Sequence, residues 1–521
     1  MLLEVTGSTH DCLGVVAGWG HALAQLVADG VLPPPREVVP GARTLLLDGV
    51  DLALVLPIVR SLRSPPGQDE PASGAVVEVP VVYDGADLAE VAHAWGISEA
   101  ELITRHTGTE FRVAFTGFAP GFPYLVSVAR DGAPDVARDV ARHATPRAMV
   151  PAGAVGLAGR YCGIYPRPSP GGWQLIGTTQ CALFDTDRDP PALLPPGTRV
   201  RFIQITALPT PPPGRHDDEP APGRRTGTPT LTVVRAGALT TLQDAGRPGM
   251  AHLGVPHSGA LDPDAAALAN RLVGNTAEAT VLETTLDGVS LRPNTDVVVA
   301  VTGAPAAVSV DQRPAAWGVP VTVRAGEVVD IGRAVTGVRS YLAVAGGLTV
   351  APVLGSRSTD ILSGLGPPPL ADGDDLAVGP RSGPIPAVDF TVSRRSTEPV
   401  VLRLTYGPRD DWFDERSLTT LTTSVYTVSA TSNRIGMRLT GPPLPRKYTQ
   451  ELESEGMVLG AVQIPPDGHP VVMLADHPTT GGYPVVGVVD AHDVSALAQA
   501  RPGTRVRFEV DRAAPHHQEM T

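Results

Sequence analysis

Lysine is nearly absent from this chain. Lys447 is the only one among 41 basic residues, so almost all positive charge is arginine. A biotin-bearing lysine, a pyridoxal Schiff base and a phosphate-gripping loop lysine each need lysine in a defined motif, and Pro445-Arg446-Lys447-Tyr448 matches none of them. No covalent biotin is expected on this chain. Cysteine is equally scarce: Cys12, Cys162 and Cys181 are too few and too scattered for a disulfide framework or a zinc site, so no metal is assigned. Charged residues make up only 18%, with a net charge of −13, which argues against nucleic acid or an anionic membrane as a partner. No apolar run approaches the ~20 residues that span a bilayer, and Met1–Gly7 has neither a basic start nor an apolar core. A reduced, cytoplasmic, soluble protein is expected. The GxxxxGKS/T, HExxH and GxSxG signatures and a Rossmann glycine run are also missing.

Glycine (56) and proline (54) are abundant and lie between Val-, Leu- and Ile-rich runs. That pattern suits many short strands joined by turns, and 42% hydrophobic content over 521 residues is enough to core several domains. Residues 1–80 alternate strand and helix: Leu2–Val5 and Arg43–Leu47 read as strands, Cys12–Ala28 and Asp51–Leu62 as helices, the latter kinked or shortened by Pro57. Ser64–Ser73 is a polar linker. Val76–Tyr83 opens a second unit, with helices over Asp87–Trp95 and Ser98–His106, a Ser98/Glu101 capping box and a strand over Phe111–Phe115. Residues 207–229 are proline-rich and charged, a tether. Tethering raises the effective concentration of one half for the other to about the millimolar range, so the halves should touch. Beyond it, Leu231–Arg235, Val297–Thr302, Val321–Val323 and Gly337–Ala345 read as strands, although Val338–Ala343 alternates too imperfectly to assign faces; residues 513–521 read as a disordered tail.

The chain also repeats itself. Pro196-Gly197-Thr198-Arg199-Val200-Arg201-Phe202 recurs identically as Pro502-Gly503-Thr504-Arg505-Val506-Arg507-Phe508, and Gly171-Gly172-Trp173 has a counterpart in Gly481-Gly482-Tyr483. The offsets, 306 and 310, differ by one loop-length change. Two ordered matches nearly in phase argue for duplication and suit two related β-barrels, each closed by a Val-Arg-Phe strand; so long a period rules out a solenoid.

Candidate chemistry gathers on Thr240–Glu283. Its first half is Gly/Pro-rich and carries Asp244, Arg247, His252, His257 and Ser258; Asp262-Pro263 then caps a short helix that Gly274-Asn275 stops. A polar loop is thus pinned to a helix start, either as a site or as a long surface connection. Two further groups are Ser356, Arg357, Ser358 and Thr359, and Asp476, His477, Thr479, Thr480 and Tyr483. An acid beside a histidine suits proton transfer near neutral pH, and arginine with hydroxyls suits a carboxylate. The aromatic loop Gly117–Tyr124 is either a core corner or an apolar wall for a small ligand. Asp410-Asp411 reads as a solvated turn.

Thr240–Asn275, together with Leu354–Asp360, Ser432-Asn433-Arg434, Ser454-Glu455-Gly456 and Thr479–Pro484, closely resembles the allophanate hydrolase subunit 2 family, also called biotin-dependent carboxyltransferase-like or the C subunit of 5-oxoprolinase. His106–Phe111, GFAPGFPYL, Thr145-Pro146-Arg147, Val150–Gly153, Gly163–Pro166 and Ser169–Gly177 resemble the allophanate hydrolase subunit 1 family, also called the B subunit of 5-oxoprolinase or the Kip inhibitor family. Thr178 departs from the arginine that many of that family carry after the equivalent of Gly177, which weakens an anion-binding role there. The resemblance implies a mainly β protein with α/β: a small α/β domain (1–80), a cyclophilin-like barrel (81–206), the tether (207–229), a β-rich domain (230–390) and a second cyclophilin-like barrel (391–512). It further implies a fused B/C component of an ATP-dependent 5-oxoprolinase that opens 5-oxoproline to glutamate, with ATP on a separate partner that resembles the A subunit of that enzyme. The alternatives are a urea carboxylase-like carboxyltransferase and a Kip-type kinase inhibitor; a homo-oligomer stays open. Asp244, Arg247, His252, Asp476 and His477 are the expected catalytic residues. Phe118, Phe122, Arg147, Trp173, Gln174, His257, Ser258, Arg357, Ser358, Thr480 and Tyr483 are expected to bind a small amide substrate.

Overall fold

The computed structural model describes residues 1–6, 12–61, 75–128, 140–143, 145–208, 230–381, 383–388, 391, 398–450 and 452–510. The Ser64–Ser73 linker, the tether beyond residue 208 and the 513–521 tail lie outside them.

The protein is mostly β. The chain opens with an antiparallel sheet in the order Leu2–Glu4, Thr44–Asp48, Glu37–Pro40, backed by helices Cys12–Ala28 and Leu52–Ser61. Leu3, Val16, Leu23, Leu45, Leu47 and Val55 fill the space between them. The short strand Glu37–Pro40 is not foreseen from the sequence; its Pro40 and its length hide the period of two.

Seven strands then build the first barrel: β1 (Val77–Val81), β2 (Glu110–Thr116), β3 (Pro123–Ser127), β4 (Ala154–Ala158), β5 (Tyr161–Ile164), β6 (Gln174–Thr178) and β7 (Arg199–Gln204). Their order is β1-β7-β2-β3-β5-β4-β6, and a Val82–Thr178 bridge brings the last edge back to the first. The second barrel uses β8 (Val400–Tyr406), β9 (Tyr426–Val428), β10 (Gly436–Thr440), β11 (Ala461–Gln463), β12 (Val471–Met473), β13 (Val485–Val489) and β14 (Arg505–Val510), closed in the order β8-β14-β9-β10-β12-β11-β13. Adding seven to each label of the first barrel reproduces the second. The repeated heptapeptide forms β7 and β14, each running parallel to its barrel's first strand. In both copies Val and Phe (200 and 202, 506 and 508) point into the core, and Pro-Gly makes the entry turn with Gly197 and Gly503 both at φ +89, where only glycine is comfortable. Each barrel also carries a two-stranded arm: Arg147–Val150 with Ser169–Gly171, and Glu455–Gly456 with Thr480–Gly481.

Between the barrels, two sheets sandwich a Val/Leu core. Val297–Gly303 shows why its sequence reads as one apolar run: Val297, Val299 and Val301 face the sandwich, while Val298 and Ala300 lie under helix Pro263–Leu272. Arg339–Val344 is likewise buried on both faces, which explains its poor alternation. Asp262 caps that helix, accepting from Ala265 N–H, as Ser98 accepts from Glu101 N–H at the start of Glu99–Gly108. Asp410 departs from expectation: it is buried in a 3-10 turn, Asp410–Trp412.

Candidate active site

The two halves are docked. Glu37 of the first sheet accepts from the N–H groups of Gly249 (2.8 Å) and Ala251 (3.0 Å) on the organising loop. Thr116 Oγ1 donates to His252 O, and Gly121 N–H donates to Leu253 O at 2.9 Å. The second arm completes the seam: Phe118 N–H donates to Thr480 Oγ1 (2.9 Å), Ser454 Oγ donates to Tyr124 OH (3.2 Å), and Ala42 N–H donates to Ser454 O (2.9 Å). Close approach is enforced, since a Cβ on Gly117 would lie 2.3 Å from Thr480 Oγ1 and one on Gly254 would lie 2.3 Å from Ala119 O.

At the mouth of the first barrel, Phe118, Phe122, Tyr124, Tyr165 and Trp173 make a continuous set of edge-to-face contacts, with centroids 5.1–6.4 Å apart. Phe122 and Trp173 are buried within it, so they are core corners and do not offer a ligand a free ring face; Phe118, half-buried with φ +64, is the member left at the seam. Gln174 is buried and donates to Ala141 O. Arg147 stands on the first arm, donating to Asp87 Oδ1 at 2.6 Å. Tyr483 is exposed beside the second arm.

The organising loop is held by its own polar groups. Asp244 accepts from Ser356 Oγ, Ser358 Oγ and Arg357 N–H (each 2.6 Å) and from Gly246 N–H (2.9 Å). Arg247 is fully buried and donates to Val353 O and Ser358 O; burial pushes its pKa down against the nearby Asp360, Asp244 and Asp476. These geometries revise the expected roles: Asp244 fastens Ser356 and Ser358, and Arg247 braces backbone instead of holding a substrate carboxylate. Arg357 Nε donates to Val350 O. His252 is exposed with Nδ1 3.0 Å from Gly249 O, and no described bond joins it to Asp244. His257 lies 3.5 Å from Glu37 by Nδ1.

The mouth of the second barrel is ionic. Arg434 donates twice to Asp476 (2.9 Å each), to Glu283 (2.5 Å) and to Gly259 O (2.7 Å). Ser258 Oγ donates to Asp476 at 2.7 Å, and Tyr341 OH donates to Glu283 at 2.9 Å. With both its oxygens so engaged, Asp476 is not the partner of His477, whose Nδ1 lies 2.8 Å from Pro478 O and whose pKa burial pushes down. Burial and the charge of Asp476 push Asp360 up to about 6. Sequence reasoning misses Glu37, Asp87, Glu283 and Tyr341 as site-building groups. Arg434 ends the Ser432-Asn433-Arg434 motif, and a charged residue just ahead of the apolar strand Gly436–Thr440 is the available signal. A half-open cavity of about 260 Å³, lined by Glu4, Arg43, Arg409, Trp412, Leu452 and Glu455, sits behind the second arm, away from the aromatic mouth.

Residues 253–510 match the profile described as carboxyltransferase domain, subdomain A and B, and residues 9–194 match carboxyltransferase domain, subdomain C and D. The chain is 38% identical to the C subunit of 5-oxoprolinase from Escherichia coli K12 over 281 residues, covering 53% of this chain and 90% of that protein. The chain belongs to the carboxyltransferase-domain family. Its other half is 42% identical over 188 residues to the B subunit of 5-oxoprolinase from Escherichia coli O157:H7, covering 35% of this chain and 82% of that one. The crystal structure of TTHA0988 matches end to end, with a TM-score of 0.85, 36% identity and coverage of 98% of this chain and 99% of that one. Family members of a different size appear too: urea amidolyase of Lachancea kluyveri is 32% identical over 305 residues, 53% of this chain but 16% of that protein. Family membership fits the resemblance read in both halves, and the two like barrels fit the cyclophilin-like expectation. Among the described residues no helix is long and apolar enough to cross a membrane.

Proposed function

We propose that this chain is the fused B and C component of an ATP-dependent 5-oxoprolinase, opening the lactam of 5-oxoproline to glutamate with a partner of the A-subunit type. One observation carries the reading: a single chain is similar to the B subunit in one half and to the C subunit in the other, and those halves meet in a buried, hydrogen-bonded seam. A lactam amide is a poor electrophile; phosphorylating its oxygen makes ring opening feasible, and the partner supplies the ATP. The seam beside Phe118 is the place for a small ring, shielded from bulk water on its aromatic side. The purified chain, mixed with a partner of the A-subunit type, ATP and 5-oxoproline, is expected to release glutamate only when all are present; no glutamate from the complete mixture rejects the reading.

A second reading, a carboxyltransferase acting with biotin carried elsewhere, is favoured by the family description and by the similarity to urea amidolyase. Carboxylation of an amide by the chain together with a biotin carboxylase and a biotinylated carrier would support it.

A further inference from the structure

The barrels are copies, and one ion pair is inverted between them. In the second, Arg409 follows β8 and binds Glu455 on the second arm; in the first, Asp87 follows β1 and binds Arg147 on the first arm. The backbone sets the equivalence. Asp87 N–H donates to Leu175 O (2.9 Å) and Arg409 N–H to Val485 O (3.2 Å), acceptors 310 residues apart in the repeat, and Arg147 pairs with Gly171 as Glu455 pairs with Gly481.

The pairs differ in what remains unengaged. Arg409 is 10% exposed, and its Nε, Nη1 and Nη2 donate to Glu455 and, twice at 3.0 Å, to Glu4 of the first sheet. Arg147 is 29% exposed and makes one carboxylate bond, to Asp87, and a 3.3 Å bond to Trp173 O; its remaining N–H groups have no acceptor among the described residues. Asp87 is itself tied down. It accepts from Leu175 N–H at 2.6 Å and lies 3.3 Å from His143 Nε2; burial pushes its pKa up, but the Leu175 and Arg147 bonds outweigh that and keep it below the usual carboxylate range. It therefore stays ionised and fixes the guanidinium plane. The surroundings leave room: a Cβ at Gly171 would lie 2.2 Å from Tyr165 OH, and one at Gly482 of the second arm would lie 3.7 Å from Arg142 Nη1.

We infer that Arg147, oriented by Asp87, is the oxyanion anchor of the seam and takes the carboxylate of the small lactam substrate, with Gly482 keeping the opposite side open. This rests on the proposed function for the identity of the substrate. The sealed pair is a strut, and the open pair grips a ligand.

Calorimetric binding to the full chain tests this with three probes: 5-oxoproline, 2-pyrrolidinone (the same ring without the carboxylate) and inorganic phosphate. 5-Oxoproline is expected to bind at least tenfold tighter than 2-pyrrolidinone. Arg147→Gln should erase that preference without changing 2-pyrrolidinone binding, Arg147→Lys should restore part of it, and Gly482→Val should weaken both rings. The inference is overturned if Arg147→Gln or Gly482→Val binds 5-oxoproline like the unaltered chain, if none of the probes binds, or if phosphate alone depends on Arg147, which would assign the anchor to a phosphoryl group. A chain that binds 5-oxoproline through Arg147 yet yields no glutamate with its partner leaves the anchor standing and rejects the proposed function.

Discussion

The two barrels share seven strands, one strand order and one closing heptapeptide, yet opposite materials fill their mouths. The first is stoppered by stacked aromatic rings and meets its neighbour through single hydrogen bonds such as Phe118 N–H to Thr480. The second is fixed to the middle domain by Arg434, Asp476 and Glu283, all fully buried. An ion network without water cannot open by degrees, because each partner lost strands a buried charge. Rings closed by one neutral hydrogen bond can part at modest cost. The lesson is that the shared scaffold assigns rigidity to one copy and access to the other.

The largest effect should come from breaking the ionic mouth. Arg434→Met would leave Asp476 and Glu283 buried without their cation and should cost about 3–5 kcal/mol of stability in denaturant unfolding. A loss below about 1 kcal/mol would mean that the network is not the fastening described.

Acid should separate the barrels next. His106, wholly buried in the first barrel, lies 2.7 Å from Tyr83 OH by Nδ1 and stacks on Phe202, and burial pushes its pKa down to about 3. A histidine with a depressed folded pKa contributes stability that is present above its unfolded value near 6.5 and is lost as pH falls toward the folded value. Between pH 6.5 and 4 the first barrel should lose roughly 3 kcal/mol through this group. Hydrogen exchange of β2 and β7 amides, compared with those of β9 and β14, would read the loss, and His106→Gln should flatten it. Parallel slopes in both barrels, with or without His106, would break the comparison.

The smallest effect is at the seam itself. Thr480→Val removes the acceptor of Phe118 N–H and should cost about 1 kcal/mol, most of it as faster proteolysis of the 117–122 loop. Loss of the whole fold would show that the aromatic mouth is not the yielding side.

Much of this architecture is legible in the sequence, because strand period, caps and an exact repeat are local signals. Pro-Gly-Thr-Arg-Val-Arg-Phe foretells two like barrels, and Asp262-Pro263 foretells a helix start. Side-chain partners are less legible, because they join distant segments. Glu37 meets Gly249 and Ala251 across more than 200 residues, and its strand is too short to announce itself. Asp244 and Arg247 carry the residue types of a reacting pair, but only coordinates show the carboxylate fastening two serines and the guanidinium bracing carbonyls. The inverted pair is hidden for a chemical reason: a duplicated position that holds aspartate in one copy and arginine in the other no longer looks like a repeat.

The most direct test compares Arg147→Gln with Arg409→Gln in the full chain, measuring for each both unfolding free energy and affinity for 5-oxoproline. The account predicts a split. Arg409→Gln should lose about 2–3 kcal/mol of stability and keep its affinity, whereas Arg147→Gln should lose less than about 1 kcal/mol and at least tenfold in affinity. Equal stability losses with unchanged affinity in both would show that the two pairs do the same work, and would contradict it.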